Sequence, residues 1–403
     1  MSGPAGLPLL SKPNHPRRRA RPCARFKPEI QMSTLDGIRA SIDETDSEII
    51  RLLAKRQALV REASSVKAAG GLPAWTRQRE EYLFKSREEM ARKAGLPEGL
   101  ASDIVRRVLR ESYGQSGRGS YPCLAPGHCK VVIIGGNGGM GRIFSQYFES
   151  SGYEVACFGH RGWDKAGEYF KGAGIVMVTV PIDITVEIIK KASAYLTPGM
   201  ILCDLTSVKD PVVKAMLECH HGPVIGLHPM FGPDVPNLVK QVVVSCSARD
   251  PGKTEFLKRQ LSLWGANVVE CDPRDHDEAM GIIQALRHFT TYAYGVFLSK
   301  IHPDLRKIMA LSSPIYRLEL MMVGRLFAQD PRLYADIIMS SDKNLSLVSQ
   351  YVESLKPELD AVLARDSEAF TKRFLEARDY FGDLADDFLR QSASILAKLQ
   401  DER

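Results

Sequence analysis

Residues 130–142 read KVVIIGGNGGMGR, and this stretch joins a short apolar strand to a glycine-rich turn and the start of a helix. Gly136, Gly138 and Gly141 match the G-x-G-x-x-G spacing. The first glycine allows a tight turn, the second lets the backbone approach a pyrophosphate, and the third lets the helix pack on the strand. An anion binds at the free N–H groups of such a helix start, where Met140 lies. The stretch therefore predicts a Rossmann-type fold that binds a dinucleotide.

The end of the second strand bears on which nicotinamide cofactor binds. NAD enzymes place an acid there for the ribose 2′-hydroxyl, whereas residues 157–161 of this chain read CFGHR. His160 and Arg161 can meet a 2′-phosphate, which favours NADP. Asp164 can reach the ribose if the turn folds back, which favours NAD. We therefore expect NAD or NADP as the cofactor and leave the choice open.

Strands and helices alternate along the centre of the chain. Strand candidates follow Lys130–Ile134 at Glu154–Phe158, Ile175–Val180, Met200–Asp204, Pro223–Gly226 and Gln241–Ser245. Helical stretches separate most of them, which predicts a doubly wound, parallel α/β sheet with helices on both faces. After about Asp275 the strand pattern disappears. We expect only helices from there, most clearly at Leu311–Leu326 and Asp366–Leu399.

The residues ahead of the glycine loop have a helical pattern. Ser33 or Thr34 can cap a first helix, whose apolar residues recur at the helical period until the stop at residues 70–73. Two shorter helices are expected at about Thr76–Ala94 and Glu98–Tyr113. A first helix this long cannot build a monomeric core with two short ones, so we expect a dimer.

Five parts follow from these patterns. We expect a disordered basic extension at 1–32, a helical domain at 33–115, a linker at 116–128, a Rossmann domain at 129–274 and a second helical domain at 275–403. The linker is assigned because its residues are rich in turn formers.

The net charge of +6 does not predict a nucleic-acid partner, because residues 1–30 alone supply it and the remaining chain sums to zero. The basic extension has the composition of a transit peptide or a nucleic-acid arm. We favour a disordered extension, or a start codon placed too early, since Met32 directly precedes the first helix.

The eight cysteines form no C-x-x-C pair and no cluster with histidine. This spacing predicts a reduced compartment and no metal site. No apolar run is long enough to span a bilayer. We therefore expect a soluble, cytoplasmic protein with no membrane partner.

Two side chains are candidates for chemistry at the sheet. Ser207 follows the strand that ends at Asp204, and His228 follows the next strand. The carboxyl ends of strands in a doubly wound sheet face the ligand crevice. A neutral histidine there can accept a hydroxyl proton, although a structural histidine beside a turn-forming proline is an equal alternative.

Four segments carry a resemblance to a known family. They are Gly226–Asp234 (GLHPMFGPD), Gln284–Phe289 (QALRHF), Leu311–Leu320 (LSSPIYRLEL) and Met322–Pro331 (MVGRLFAQDP). They resemble the prephenate dehydrogenases, and specifically the bifunctional chorismate mutase–prephenate dehydrogenase family. The resemblance covers about residues 33 to 395. It implies NAD(P)-dependent oxidative decarboxylation of prephenate to 4-hydroxyphenylpyruvate, in tyrosine biosynthesis.

The same resemblance implies roles for individual residues. His228 would accept the hydroxyl proton, Ser207 would hydrogen-bond that hydroxyl, and Arg325 would anchor a substrate carboxylate. His288 matches a second histidine of the site that is linked to substrate and to tyrosine sensing. Secondary candidates are His276, Lys209 and Tyr334. Arg317 could be a second clamp, but a structural ion pair is the favoured interpretation.

The first helical domain carries a second set of candidates. Arg56 and Lys67 are eleven residues apart and share a helix face, which alone is typical of a solvated basic face. Residues 35–112, however, resemble the intertwined, dimeric chorismate mutases. That resemblance implies Lys67 as the donor to the ether oxygen and Glu80 as the ligand of the substrate hydroxyl. The other implied site residues are Arg56, Arg79, Ser112 and, reaching the partner chain's site, Arg39.

One departure from the family pattern leaves a role unassigned. Ser116, with Gln115 beside it, stands where related mutases carry the glutamine that would be the second donor to the ether oxygen. The implied ligands are chorismate and prephenate, with tyrosine as a feedback inhibitor and a second copy of the chain as partner. Two alternatives stay open: a helical module that only dimerises or regulates, and a dehydrogenase that acts on arogenate.

Overall fold

The computed structural model describes residues 34–116, 121–127 and 129–400. The basic extension predicted at 1–32 and part of the predicted linker therefore lie outside the described residues. The chain divides into two compact units, Met1–Arg56 and Gln57–Arg403.

The described part of the first unit is the beginning of one long helix. Helix α1 (Leu35–Ala69) has Thr34 before its first turn, where the Thr34 hydroxyl accepts a hydrogen bond from the Gly37 N–H at 3.2 Å. This confirms the predicted cap. Leu35, Ile38 and Ile42 leave 63%, 44% and 53% of their surface exposed. These apolar side chains are therefore left uncovered by the residues that the structure describes.

In the second unit, α1 ends at two glycines and is followed by two shorter helices. The Leu72 N–H donates to the Lys67 carbonyl at 2.9 Å, and Gly71 takes φ +64°, a conformation that favours glycine. Helices α2 (Arg77–Lys93) and α3 (Leu100–Ser116) are tied together because Glu88 accepts a hydrogen bond from the Ser102 N–H at 2.8 Å.

Seven strands form one sheet in the order β2-β1-β3-β4-β5-β6-β7. The strands are β1 (Lys130–Ile134), β2 (Glu154–Phe158), β3 (Ala173–Val178), β4 (Ile201–Asp204), β5 (Val224–Pro229), β6 (Val242–Arg249) and β7 (Asn267–Glu270). All neighbours are parallel except β5 and β6. The chain order reverses between β1 and β3, and this switch point is where ligands bind in such sheets.

The sheet departs from the sequence prediction in two places. Strand β6 is antiparallel because residues 230–241 connect it to β5 without a crossover helix, and a parallel return needs such a crossover. Strand β7 was not predicted, since its short run NVVE is half exposed at an edge and lacks a buried apolar pattern.

Helices cover both faces of the sheet, as predicted for a doubly wound fold. On one face, α4 (Gly139–Ser150) and α8 (Pro251–Leu263) pack with Trp264 against residues such as Ile133 and Ile175. On the other face, α5 (Ala166–Phe170), α6 (Thr185–Ala192) and α7 (Asp210–Cys219) pack against the opposite side chains of the same strands.

The remainder of the described chain is helical, as predicted. The elements are α9 (Pro273–Met280), a π-helical turn (Gly281–Leu286), α10 (Arg287–Ile301), α11 (Leu305–Leu311), α12 (Pro314–Phe327), α13 (Pro331–Ile338), α14 (Asp342–Leu363), α15 (Ser367–Phe381) and α16 (Asp383–Gln400). The predicted helix at 366–399 is two helices, because Gly382 breaks it with φ +51°. The one predicted at 311–326 starts instead at Pro314, capped by the Ser313 hydroxyl.

None of the helices in the described ranges is long and apolar enough to cross a membrane.

Candidate active sites

The glycine turn after β1 is close-packed on its surroundings. A Cβ at Gly136 would lie 2.5 Å from Cys157 Sγ, and one at Gly141 would lie 2.6 Å from the Gly135 carbonyl oxygen. Helix α4 starts at Gly139 with Gly138 as its N-cap and no side chain capping it. The open helix start beside a turn without side chains fits the pyrophosphate of a dinucleotide, as predicted.

The turn after β2 carries the candidates for the ribose end of the cofactor. His160, Arg161 and Asp164 are all exposed there. Neither His160 nor Arg161 forms a hydrogen bond or ion pair with any other residue that the structure describes. Both side chains are therefore available to a ligand at the carboxyl end of β2.

His228 lies in a chain of three hydrogen-bonded groups. Its Nδ1 is 2.8 Å from His276 Nε2, and His276 Nδ1 is 2.8 Å from Asp277 Oδ1. Because the Asp277 carboxylate accepts, His276 donates from Nδ1 and accepts at Nε2. His228 must then donate from Nδ1, which leaves the lone pair on its Nε2.

The Nε2 atom of His228 faces an amide donor. Gln284, in the π-helical turn, places its Nε2 3.3 Å from this atom. His228 is 4% exposed, and burial together with the nearby Lys209 ammonium holds its pKa well below the ordinary value of 6.5. A neutral imidazole with its lone pair directed away from the His276 side is suited to accept a proton.

Asp277 is itself held in place by the start of α7. Its Oδ1 accepts a hydrogen bond from the Lys209 N–H at 2.8 Å, and its Oδ2 accepts one from the Asp210 N–H at 2.9 Å. A carboxylate at a helix N-terminus is stabilised by the free N–H groups and by the helix dipole. The orientation of the histidine pair is therefore fixed by the backbone of a core helix.

Lys209 forms a fully buried ion pair with Asp204 at the end of β4. The ammonium also donates to the Leu227 carbonyl at 2.8 Å, one residue before His228. The position of Lys209 in the site is thus structural: it links β4 to β5 and places a positive charge near the His228 ring.

Ser207 has a hydroxyl oxygen that is buried and has no hydrogen-bond partner in the described part of the chain. It lines a cavity of about 790 Å³ together with Asp277 and Gln284, the residue that contacts His228 Nε2. That volume is within the range of small-molecule sites. A buried hydroxyl without a protein partner is ready to bond a ligand there.

A second group of predicted residues gathers around Arg325. Its guanidinium is 2.6 Å from the carboxylate of Asp234, in the loop after β5, and the pair holds the pKa of Asp234 below its usual value. The His288 ring packs edge-on against Tyr334 at a centroid distance of 4.9 Å. Burial, and the charge of Arg287, lower the pKa of His288 to about 4.

Arg317 does not have the ion pair that the sequence favoured. It lies on α12 with Arg325, but its Nε is buried without a hydrogen-bond partner, and no acid among the described residues pairs with it. Arg325 keeps further N–H donors beside its bond to Asp234, because a guanidinium carries five.

In the first helical domain, Lys67 and Arg79 lie close together. Burial, and then the charge of Arg79, lower the pKa of the Lys67 ammonium, which donates to the Ala74 carbonyl at 3.3 Å. Two cations held this near each other favour an anionic ligand between them. Ser112 is buried on α3, and its hydroxyl donates to the Val108 carbonyl at 2.9 Å.

Glu80 is 7% exposed and both of its carboxylate oxygens are engaged. Oε2 accepts from the indole N–H of Trp75, and Oε1 pairs with the ammonium of Lys240. In the first unit, Arg39 is exposed and pairs with Asp36 at 3.4 Å, and Arg56 is half-buried.

Comparisons with known proteins match both domains. Residues 38–116 match the model of type II chorismate mutases. Residues 162–270 match the nucleotide-binding domain of prephenate dehydrogenases, and residues 272–376 match their dimerization domain. The chain is 42% identical over 374 residues to the T-protein of Haemophilus influenzae, covering 92% of this chain and 98% of the relative. It is 44% identical to that of Enterobacter agglomerans, covering 92% and 100%.

The chain belongs to the T-protein family. It is therefore a bifunctional enzyme with chorismate mutase and prephenate dehydrogenase activity. Among solved structures, prephenate dehydrogenase from Aquifex aeolicus, in complex with hydroxyphenyl propionate and NAD+, superposes with a TM-score of 0.50 at 21% identity. That match covers 63% of this chain and 98% of the other, and it supports the α/β and helical dehydrogenase fold.

Three residues that contact the candidate site residues were not found from sequence. Asp277 follows His276 directly, and a His-Asp pair at a helix start was a signal that could have been used. Gln284 lay within a segment quoted for the family resemblance, but its contact depends on the π-helical turn. Lys240 had no sequence signal, because it meets Glu80 across 160 residues of chain.

Proposed function

We propose that this T-protein rearranges chorismate to prephenate in its first helical domain and oxidises prephenate to 4-hydroxyphenylpyruvate, with loss of carbon dioxide, beside His228. The observation that carries the second assignment is the Asp277–His276–His228 chain, which places the lone pair of His228 on Nε2, beside the Gln284 amide. Prephenate carries a ring hydroxyl whose proton must leave as the ring carbon is oxidised. His228 Nε2 is the atom that receives it.

The neighbours of His228 prepare it for this step. As Nε2 takes the proton, the imidazolium is stabilised through Nδ1 by His276 and, behind it, by the carboxylate of Asp277. In the absence of substrate, the Gln284 amide donates to His228 Nε2 and holds the ring in position. The substrate hydroxyl then takes the place of this amide. The Ser207 hydroxyl, buried without a protein partner among the described residues, bonds the same substrate hydroxyl and orients it.

Arg325 and His288 bind the remainder of the substrate. The forked guanidinium of Arg325 suits a carboxylate, and its spare N–H donors allow it to bind one beside Asp234. His288 is neutral at pH 7, so it acts as a hydrogen-bonding group of the site. Tyrosine shares the phenol ring and a carboxylate with the product, and we expect it to inhibit by binding these groups.

The cofactor belongs at the glycine turn. When bound, the nicotinamide supplies the two-electron acceptor that oxidation of the ring carbon requires. Gly136, Gly138, Met140 and Gly141 would hold the pyrophosphate through backbone N–H groups. The exposed Arg161 guanidinium and the His160 imidazole beside it would bind a 2′-phosphate, which supports use of NADP as well as NAD.

For the mutase reaction the chain supplies charge and shape. The rearrangement needs chorismate held in a compact conformation and positive charge beside the ether oxygen. Lys67 would donate to that oxygen, Arg56 and Arg79 would bind carboxylates with Arg39 of a second copy, and Glu80 would bind the substrate hydroxyl. Ser112, buried on α3, would complete the set.

A homodimer is the assembly that these features support. The apolar side chains of α1 are exposed in one chain, and so are Phe374, Tyr380 and Leu389 in the C-terminal helices, at 62%, 88% and 69%. Exposed apolar surface of this extent is typical of an interface. The match to a dimerization domain at 272–376 agrees with this proposal.

One coupled assay tests the proposal. Purified protein receives chorismate with NAD or with NADP, and cofactor reduction is followed together with 4-hydroxyphenylpyruvate. Reduction that begins after a lag is expected, because prephenate must first accumulate. Reduction from prephenate alone would assign the helical domain to dimerisation only. Reduction from arogenate but not from prephenate would overturn the substrate assignment.

A further inference from the structure

Lys240 belongs to the dehydrogenase domain but contacts a residue of the mutase domain. It lies between β5 and β6, two residues before β6 begins at Val242. Its ammonium pairs with Glu80 Oε1 on α2. Among the described residues, no other ion pair joins α2 to the dehydrogenase domain.

Several polar and aromatic contacts hold this ion pair in place. Trp75 donates its indole N–H to the other oxygen of Glu80. The Lys240 ammonium also lies 5.8 Å from the centre of the Trp75 ring and 5.7 Å from that of Tyr113, within the range of cation–π attraction. The ion pair borders a cavity of about 310 Å³, which is lined by Trp75, Glu80, Phe84 and Lys240 among others. Glu80 is thus buried at the cavity wall with each oxygen held.

The backbone of Lys240 is fixed independently of its side chain. The residue takes φ +65°, its N–H donates to the Gly265 carbonyl at 2.9 Å, and the Gln241 N–H donates to the Leu238 carbonyl at 3.0 Å. A non-glycine residue with positive φ persists only where surrounding structure holds it. The turn therefore presents the ammonium to Glu80 from a rigid base.

We propose that Lys240 is a positioning residue of the mutase site, supplied by the dehydrogenase domain. It holds the Glu80 carboxylate in the orientation that receives the hydroxyl of the mutase substrate. A carboxylate has about four acceptor positions, so Glu80 can bind that hydroxyl while Lys240 and Trp75 stay bonded. This inference rests on the proposed role of Glu80, and it makes mutase activity depend on an element of the other domain.

The test is a double-mutant cycle with both activities measured on each preparation. Lys240→Met removes the charge without changing the backbone cost of a positive φ. The mutase KM is expected to rise about tenfold with kcat within about threefold, as for loss of a charged hydrogen bond. Lys240→Arg should restore most of the loss. Combined with Glu80→Gln, Lys240→Met should add less than about twofold, because Lys240 acts through Glu80.

Controls separate positioning from folding. Dehydrogenase kcat and KM for prephenate should stay within about twofold in Lys240→Met, as in Lys253→Met, an exposed lysine of the same domain. An equal loss of both activities with a lower Tm would overturn the proposal in favour of a structural role. A normal mutase KM in Lys240→Met, with a raised one in Glu80→Gln, would overturn it while leaving Glu80 in the site. A normal KM in Glu80→Gln would remove the proposed role of Glu80 itself.

Discussion

At pH 7 the imidazole of His228 is neutral because burial and the Lys209 ammonium both disfavour its protonated form. A histidine in water titrates near pH 6.5 and would be partly protonated at the pH of many cells. This environment therefore keeps the imidazole that we propose as the base in its neutral, proton-accepting form. The same environment lowers the stability of the protein at low pH. It also predicts that kcat/KM for prephenate declines on the acid side of the pH profile.

The acid limb of kcat/KM for prephenate is expected below pH 6.5. Activity falls as the pH drops through the lowered pKa of folded His228, since protonation removes the Nε2 lone pair. Stability follows the same direction: the unfolded chain binds this proton near pH 6.5, so the contribution of His228 is full above that pH and declines below it. Rate profiles and unfolding midpoints from pH 5 to 8 measure both. His221→Gln, an exposed histidine, is the control, and a limb at or above pH 6.5 would contradict the assignment.

The buried Lys209–Asp204 pair permits a stability prediction. Lys209→Met should lower the free energy of unfolding by about 3–5 kcal/mol, because the Asp204 carboxylate would stay buried without its cation. Lys214→Met is the matched control, since Lys214 pairs with Asp210 at 2.6 Å but is 54% exposed, and it should change stability by about 0.5 kcal/mol or less. Urea unfolding compares the two variants, and equal effects would contradict the prediction.

At the scale of elements, the start of α4 and the loop after β5 meet at a glycine. A Cβ at Gly139 would lie 2.7 Å from Pro233 Cβ. Gly139→Ala should therefore separate the helix start from this loop, which also carries Asp234, the partner of Arg325. We expect dehydrogenase kcat/KM to fall about tenfold to a hundredfold, as for small misplacements of a site, while mutase activity stays normal.

The control for this variant is a glycine with open space. Gly167 lies in α5, and nothing is within 4 Å of a Cβ built there. Gly167→Ala should leave both activities unchanged and keep or raise Tm, because alanine is the better helix former. Cofactor KM and prephenate KM, measured for both variants, decide the matter. If both KM values of Gly139→Ala are normal, the spacing between the start of α4 and this loop does not affect catalysis.

Local sequence patterns predicted the elements well where pairing follows the chain. Strands β1 and β2 have the predicted bounds, since each is a short run between clear turn signals. Strand β5 was expected to end at Gly226 but continues to Pro229, because antiparallel β6 pairs with residues 227–229. His228 is therefore inside the strand and not after it. No local pattern reveals that pairing, since its partner lies some residues downstream across a loop without regular structure.

The site residues that lie in local motifs were predictable, whereas the contacts between residues distant in sequence were not. His228, Ser207, Arg325 and Lys67 were named from motifs and family resemblance, and the structure gives each a chemically suitable setting. The order of the Asp277–His276–His228 chain was not predictable, because α9 must first dock beside β5. Lys240 and Glu80 are further apart in sequence still, and only the packing of two domains brings them together.

At the scale of the whole molecule, we expect two chains to complete each mutase site, because apolar side chains of α1 are exposed and Arg39 is proposed to reach the site of a second copy. This can be tested by mixing two inactive variants. Arg39→Ala and Lys67→Ala should each abolish mutase activity as homodimers while retaining dehydrogenase activity. In a mixed dimer, one site would carry both changes and the other site neither.

Subunit exchange of equal amounts of the two variants should therefore restore about a quarter of wild-type mutase activity, because half of the dimers are mixed and each has one intact site. Dehydrogenase activity in the same mixture reports the amount of folded protein. Size-separated mixed dimers, marked by tags of different mass, confirm that exchange took place. If mixed dimers form and mutase activity does not return, Arg39 and Lys67 serve the same site from one chain. The dimer would then not be needed to complete the mutase site.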